Sequence, residues 1–401
     1  MSRAMAEDLP SIYLDNHATT RVDPRVVAAM LPWFDSDYGN AHSLVHLFGE
    51  RARDAVDLGR ASIAACLGTD IDAIVFTGGA TEANNLALRG VLEHPRQSRR
   101  RVVTLATEHP SVLDPLARLE RRGFEVIRLE VRPFTAPDAG AIDLDVLARE
   151  VDERTALVSV MGANNEIGTL QPLAEIARIA HEAGALVHCD ATQAVGKIPL
   201  DMSALGIDLL ALSGHKLHGP KGIGVLAVRQ GTPRIRLEPL LAGGGHEQGR
   251  RSGTLNVPGI VALATAMTLC REEMSVESPR QRALRDRLWR GLSDGIDGLA
   301  LNGPRLDDAE LRLAGNLNVR IPEVDGQTVM MAMPEIAMSS GAACTSNHPE
   351  PSHVLRAIGL DDDQVRGSLR FGLSRFTTVD EIDRAIERIV STVERLRRIA
   401  R

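Results

Sequence analysis

Between residues 73 and 190 the chain repeats one pattern: a short apolar run, a polar turn of small residues, then a helical stretch. The apolar runs are Ala73–Phe76, Arg101–Leu105, Phe124–Leu129, Ala156–Val160 and Ala185–Cys189. Helical spacing fills the gaps from Ala83 to Arg89, from Pro110 to Arg122, from Leu144 to Val151 and from Pro172 to Ala183. Strands that read as continuous apolar runs are covered on both faces, and a helix between successive strands makes them parallel. The pattern predicts an α/β fold with a mainly parallel sheet. In such a sheet, ligands sit beyond the carboxyl ends of the strands. His109, Asn165, Asp190 and Gln193 all fall there.

After about residue 265 the rhythm changes. Helices are expected from Gly259 to Val276 and from Ser278 to Asp294, then short strands at Asn316–Arg320 and Leu369–Leu373. Thr378 and Glu381 form a capping box that opens a last helix, with Ile382, Ile386, Ile389, Val393 and Leu396 at helical spacing. The chain's 401 residues exceed what one simple core holds. We therefore expect a large domain over 20–265 and a smaller α+β domain from 1–19 and 266–401.

Charge and cysteines narrow the function. A formal net charge of -7 argues against a general nucleic-acid surface. Arg96 and the run Arg99–Arg101 read as a solvated basic loop. No apolar run reaches the length of a membrane span and no secretory h-region opens the chain, so a cytoplasmic protein without membrane attachment is expected. Cys66, Cys189, Cys270 and Cys344 lack metal spacing, and no metal site is expected.

Chemistry concentrates in three turns. Lys216 lies in the small-residue turn Ser213-Gly214-His215-Lys216, between the apolar runs Leu209–Leu212 and Val225–Val228. An amine fixed at a strand end, with its pKa lowered by burial and nearby cations, suits Schiff-base chemistry. Thr77-Gly78-Gly79-Ala80-Thr81-Glu82 joins a strand to a helix start. Free backbone N–H groups and the helix dipole make such a turn an anion site. Leu240–Thr254 is a long glycine-rich loop of the kind that is often functional. The only Trp and Tyr residues are Trp33, Trp289, Tyr13 and Tyr38, so a flat cofactor in this region would stack on Phe or His.

Together, Ser213–Lys216, Gly78–Glu82, Asn164-Asn165-Glu166-Ile167-Gly168, Asp190-Ala191-Thr192-Gln193 and Arg251-Ser252-Gly253-Thr254-Leu255 resemble the cysteine desulfurases, the NifS/IscS group of class V aminotransferases. The resemblance runs from Leu14-Asp15 to Arg375-Phe376. It implies a fold-type I, aspartate-aminotransferase-like enzyme with a seven-stranded sheet and bound pyridoxal 5'-phosphate. Lys216 would hold the cofactor covalently and act as base. Asp190 would face the ring nitrogen and keep it protonated. Gln193 and Asn165 would contact the ring edge, and His109 would stack on its face and relay protons. Ala80, Thr81, Ser213 and His215 would bind the phosphate. Thr254 would reach the phosphate of a second subunit, which implies a homodimer. Arg370 would clamp the substrate carboxylate with its planar fork, with Asn16 as a further candidate.

Cys344 decides the reaction. It sits in Ser339-Ser340-Gly341-Ala342-Ala343-Cys344-Thr345-Ser346, among small and polar residues, and is expected on an exposed loop where a thiol ionises and swings. The family usually has Ser where Ala342 stands, and Leu44 occupies a place often held by Arg. The resemblance implies that L-cysteine loses its sulfur to Cys344, giving a persulfide and L-alanine, and that an acceptor protein takes the sulfur. Cys344 could also serve transiently as an iron–sulfur ligand. The chain ends at Arg401 without the extension by which housekeeping relatives dock an iron–sulfur scaffold. Iron–sulfur assembly, tRNA thiolation and DNA phosphorothioation all stay open as destinations. The rival readings are a selenocysteine lyase, an aminotransferase, and a non-catalytic subunit that uses the fold to hold partners.

Overall fold

The structure, a computed structural model, describes residues 11–340 and 351–400. Strand β1 (Ile12–Tyr13) is followed by helices α1 (Pro24–Met30), α2 (Pro32–Asp35) and α3 (Leu47–Leu67). The repeating region then supplies β2 (Ile74–Thr77), α4 (Ala80–Leu92), β3 (Arg101–Leu105), α5 (Pro110–Glu120), β4 (Glu125–Leu129), α6 (Leu144–Glu150), β5 (Thr155–Met161), α7 (Leu173–Glu182), β6 (Leu186–Asp190), β7 (Leu209–Ser213) and β8 (Gly224–Val228). These seven strands make one sheet in the order β2-β8-β7-β6-β5-β3-β4. Only β8 runs antiparallel to its neighbours. Its first residue, Gly224, therefore lies beside Ser213 and Thr77 at the carboxyl ends of β7 and β2.

Both faces of this sheet are covered, as continuous apolar strands require. One face packs on α3 and the first half of α8 (Val257–Gly295), with Ile63, Val160, Leu212 and Leu263 fully buried. The other packs on α4 and α5 through Leu86, Leu88, Val112 and Leu116. A second sheet joins β9 (Ala300–Leu301), β10 (Asn316–Arg320), β12 (Ser339–Ser340) and β13 (Ser368–Gly372) in the order β12-β13-β10-β9. Helix α9 (Gly326–Met331) precedes β11 (Ile336–Ala337), which pairs with β1. Helices α10 (His353–Ala357) and α11 (Asp362–Arg366) precede β13, and α12 (Val379–Ala400) closes the described chain. Leu317, Phe371, Ile382 and Ile389 fill a separate core beneath this second sheet. The capping box of α12 forms as expected, with Thr378 N donating to Glu381 Oε2 at 2.8 Å and Glu381 N to Thr378 Oγ1 at 3.2 Å.

Two local expectations are corrected. The two helices expected either side of residue 277 are one helix, α8, with Pro279 inside it. Proline removes one donor and strains the preceding turn, but tertiary packing holds both halves in line. Cys270 and Met267 bury in the first core, and Leu284, Leu288 and Leu292 in the second. The arginine run is not a solvated loop throughout. Arg101 is buried in β3 and ion-paired with Glu125, Glu150 and Asp152. Arg99 Nη1 donates to the carbonyls of Thr155, Ala183 and Gly184.

An ion network ties α1 to α8 and to the turn after β13. Asp23 caps α1, accepts from Arg25 and from Arg375 Nη1 at 3.0 Å, and is 2% exposed. Hydrogen bonds from Arg25 first, and then from Arg375, hold its carboxyl well below the usual carboxylate range, against the opposing effect of burial. Asp23→Asn is expected to lose about 3 kcal/mol, because it removes one carboxylate from a buried guanidinium. A depressed carboxylate stabilises the fold above its unfolded pKa, about 3.9, and the gain fades as pH falls below that value. Urea midpoints of parent and variant should differ at pH 7 and converge below about pH 4.

Candidate active site

The polar residues predicted at the strand ends meet in one cavity of about 780 Å³. Each is placed by the strand or helix it terminates. His109 caps α5 just past β3, Asn165 follows β5, Asp190 ends β6, and Ser213 ends β7. Ala80, Thr81, His109, Asn165, Asp190, Gln193, Ser213, His215 and Lys216 all line the cavity.

Lys216 follows the tight turn after β7. Its Nζ donates to the carbonyls of His17 at 2.6 Å and Ala18 at 2.7 Å. Burial, and then the Arg370 guanidinium, lower its pKa to about 8, against Asp15 and Asp190. The free amine is thus populated near neutrality, as Schiff-base chemistry needs. Asp190 is 5% exposed. Its Oδ2 accepts from Asn84 Nδ2 at 2.8 Å and its Oδ1 from Thr192 N at 3.0 Å.

The turn between β2 and α4 forms an anion cradle. Gly79 at the cap has φ 149° and brings no side chain to the first-turn N–H groups. A Cβ on Gly224 would lie 2.7 Å from Gly79 Cα, so two glycines let these backbones touch. Glu82 accepts from Gly78 N at 2.7 Å and pairs with Arg251 at 2.8 Å, which ties the glycine-rich loop to the cradle. Glu247 of that loop accepts from Phe76 N at 2.9 Å and covers the open edge of β2. His215 lines the same end of the cavity; burial, and then Lys216 and other lysines, lower its pKa to about 4.

Arg370, Asn16 and Thr254 do not line this cavity. Arg370 lies against its wall: Nη1 donates to Asn165 O at 3.0 Å, and Nη2 to Asp15 Oδ1 at 2.9 Å and Ser339 Oγ at 2.8 Å. Its Nε is buried without a partner. Asn16 spends its amide on the carbonyl of Gly372 at 2.7 Å and lines a smaller cavity behind Lys216. The Asn16 amide thus stitches the amino-terminal segment to β13 and is not free for a ligand carboxylate. Thr254 is exposed on the glycine-rich loop. Cys344 lies outside the described residues. The segments on either side of it are tied beside the cavity. Ser339 bonds Arg370, Ser352 Oγ donates to Glu166 Oε2 at 2.5 Å, and His353 Nε2 meets Glu108 O at 2.9 Å.

Sequence reasoning missed the residues that hold these groups. Asn84 and Ser111 support Asp190 and His109. Gln193 Nε2 donates to His17 O at 2.9 Å, and its Oε1 contacts His17 Nδ1 at 3.2 Å and accepts from Lys197. Burial, and then Lys216, lower the Lys197 pKa to about 7. The available signal was a pair of asparagines, Asn84 and Asn85, in the helix that follows the glycine turn.

Every group needed for pyridoxal phosphate has a fitting place. There is a donor-rich cradle for phosphate, a buried carboxylate for the ring nitrogen and a partly neutral amine for the aldehyde. This fold and this site define a pyridoxal-phosphate enzyme of the class V aminotransferase type. The sequence profile described as "Aminotransferase class-V" matches residues 12–385. "Cysteine desulfurase IscS" of Anaeromyxobacter dehalogenans (strain 2CP-C) is 48% identical over 390 residues, covering 97% of this chain and 94% of that protein. The solved structure "NIFS-LIKE PROTEIN" superposes with a TM-score of 0.87 at 36% identity, covering 96% of this chain and 99% of the other. "SspA in complex with cysteine" superposes at 0.77 with 32% identity, covering 92% and 100%. The chain belongs to the cysteine desulfurase family within the class V aminotransferases.

The Lys216 amine gives a direct test. Apoprotein mixed with pyridoxal phosphate should gain visible absorbance at a rate that climbs through about pH 8, not through the ordinary lysine range near 10.4. Lys216→Ala should gain none. A rate that is flat to pH 9 and rises only beyond would contradict the placement of this amine.

Proposed function

We propose that this protein removes sulfur from L-cysteine, releases L-alanine and passes the sulfur through Cys344 to an acceptor protein. The observation that carries the reading is the convergence of Lys216, Asp190, His109 and the Ala80–Thr81 turn on one cavity. Pyridoxal phosphate, when bound, supplies the electron sink that lets a bond at the substrate Cα break. Lys216 would hold it through Nζ, Asp190 would face its ring nitrogen, and Gln193 and Asn165 would meet its edge. The N–H groups of Ala80 and Thr81, with Ser213 and His215, would take its phosphate.

The protein's own groups do the rest. Lys216, near neutral, takes and returns the proton at the substrate carbon. Arg370, at the cavity wall with Nε unused, receives the substrate carboxylate and gives up part of its bond to Asp15. The Cys344 thiolate attacks the sulfur of cysteine. A sulfur–sulfur bond forms as the carbon–sulfur bond breaks; the electron pair stays with the carbon skeleton, which takes up a proton and leaves as alanine. The anchoring of Ser339 on Arg370 and Asp15, of Ser352 on Glu166 and of His353 on Glu108 supports delivery of that thiol from the adjoining segment.

The proposal includes a large unit over 20–265 and a smaller one from 1–19 and 266–401, with α8 crossing between them. It includes a homodimer, in which Thr254 reaches the partner's site. Leu31, Phe34, Tyr38, Leu44 and Val45, close together in sequence, are exposed apolar side chains of the kind a second copy would cover. Cytoplasmic residence is proposed on the same footing, from Cys66, Cys189 and Cys270 being free thiols. The acceptor is a sulfur carrier protein serving iron–sulfur assembly, tRNA thiolation or DNA phosphorothioation.

Full-length protein loaded with pyridoxal phosphate should form alanine from L-cysteine and a thiol reductant without any keto acid. Cys344→Ser should drop to background, with no extra sulfur atom on the protein by mass spectrometry. Turnover by Cys344→Ser that demands a keto acid would indicate an aminotransferase, and turnover confined to selenocysteine a lyase. No alanine at all from the yellow parent would indicate a binding subunit.

A further inference from the structure

A continuous set of hydrogen bonds joins Asp190 to His109. Asn84, fully buried on α4, sends Nδ2 to Asp190 Oδ2 at 2.8 Å and to Ser111 Oγ at 2.9 Å. Ser111 Oγ lies 2.8 Å from His109 Nδ1, and Ser111 N donates to the same nitrogen at 3.1 Å. The protons along this path are fixed by two groups that cannot reverse. The Asp190 carboxylate only accepts, so the Asn84 atom facing it is the amide nitrogen, although this leaves Asn84 Oδ1 buried without a partner. The backbone N–H of Ser111 only donates, so His109 Nδ1 bears no proton. With Nδ1 bare, the Ser111 hydroxyl also donates to it, while receiving from Asn84.

We infer that Ser111 and Asn84 are positioning residues that lock His109 as the neutral imidazole with its one proton on Nε2. Resting on the desulfurase reading, His109 then meets cofactor and substrate as a hydrogen-bond donor and not as a base. The proton at the substrate carbon falls to Lys216. Three further features agree. His109 is the N-cap of α5, where the positive end of the helix opposes a cationic ring. A neutral histidine held as donor at a helix start is a known catalytic device. The charged groups around the ring do not overturn this. Burial lowers its pKa first; Asp190 and Glu166 oppose that, and Lys216 and His353 add to it.

The test uses full-length holoenzyme with 15N-labelled histidine and two-bond proton–nitrogen correlation spectra. The His109 signals are identified by their loss in His109→Gln. In the parent, Nδ1 should read as unprotonated and Nε2 as protonated at every pH from about 6 to 9, a window inside which an unlocked ring would titrate, near 6.5. Ser111→Ala removes the hydroxyl donor and keeps the backbone N–H, so it should raise the His109 midpoint part of the way towards 6.5 and move the acid limb of alanine release up with it. Ser111→Thr, which keeps the hydroxyl, should restore both. A parent His109 protonated at Nδ1, or a midpoint that Ser111→Ala leaves in place, overturns the inference. These spectra do not need turnover, so a protein that fails to desulfurate cysteine would overturn the functional reading while leaving the tautomer result intact.

Discussion

The site depends on an amino-terminal segment being clamped over the lysine turn. A buried amine next to Arg370 and Lys197 is under electrostatic pressure to leave. The carbonyls of His17 and Ala18 hold Lys216 Nζ at the cavity. Those carbonyls are held in turn. Thr20 N and Oγ1 both donate to His215 O, at 2.9 and 3.0 Å, and His218 N returns a bond to Thr20 Oγ1 at 2.9 Å. Asn16 fastens the same segment to Gly372 of β13. One short peptide thus joins the lysine turn of the first sheet to the second sheet.

The fold was legible because its signal is repeated. Five apolar runs separated by helical spacing have few solutions besides a mainly parallel, doubly covered sheet. Polar residues just past those runs then had to gather at one edge, which is why nine of the proposed residues line one cavity. What stayed hidden were contacts without a period. Helix α8 reads as two helical stretches in sequence, whereas its continuity comes from two cores gripping its two halves. Arg101 looked like part of a basic loop because its three carboxylates come from β4, from the last residue of α6 and from just past it, far away in sequence. Asn84 and Ser111 were absorbed into helices, since nothing in spacing says which buried polar residue meets which.

Asn16 and Arg370 show the same limit at the site itself. A sequence motif places a guanidinium near a substrate but does not reveal its resting partners. Here Arg370 is already paired with Asp15 at 2.9 Å. On the proposed reading, an arriving carboxylate displaces part of that pair. Exchange of one carboxylate for another in a buried site conserves charge and costs far less than presenting an unpaired arginine. Asp15 thus keeps Arg370 paired, and it opposes Arg370 in setting the Lys216 amine.

Charge balance also explains why the two proton-handling groups differ. Lys216 and Lys221 line the cavity, with Lys197 and Arg370 close behind, and Asp190 is the buried anion of its wall. The surroundings thus favour an incoming dianion at the Ala80–Thr81 turn. That dianion would relieve repulsion among the cations, which favours the charged form of nearby amines. Such a change reaches Lys216 directly, because its side chain lines the cavity. His109 is insulated from it, because its second nitrogen is occupied by donors that do not titrate. On the proposed reading one group changes charge during the reaction and the other keeps it, and the difference lies in what each hydrogen-bonds: carbonyl acceptors for the lysine, N–H and O–H donors for the histidine.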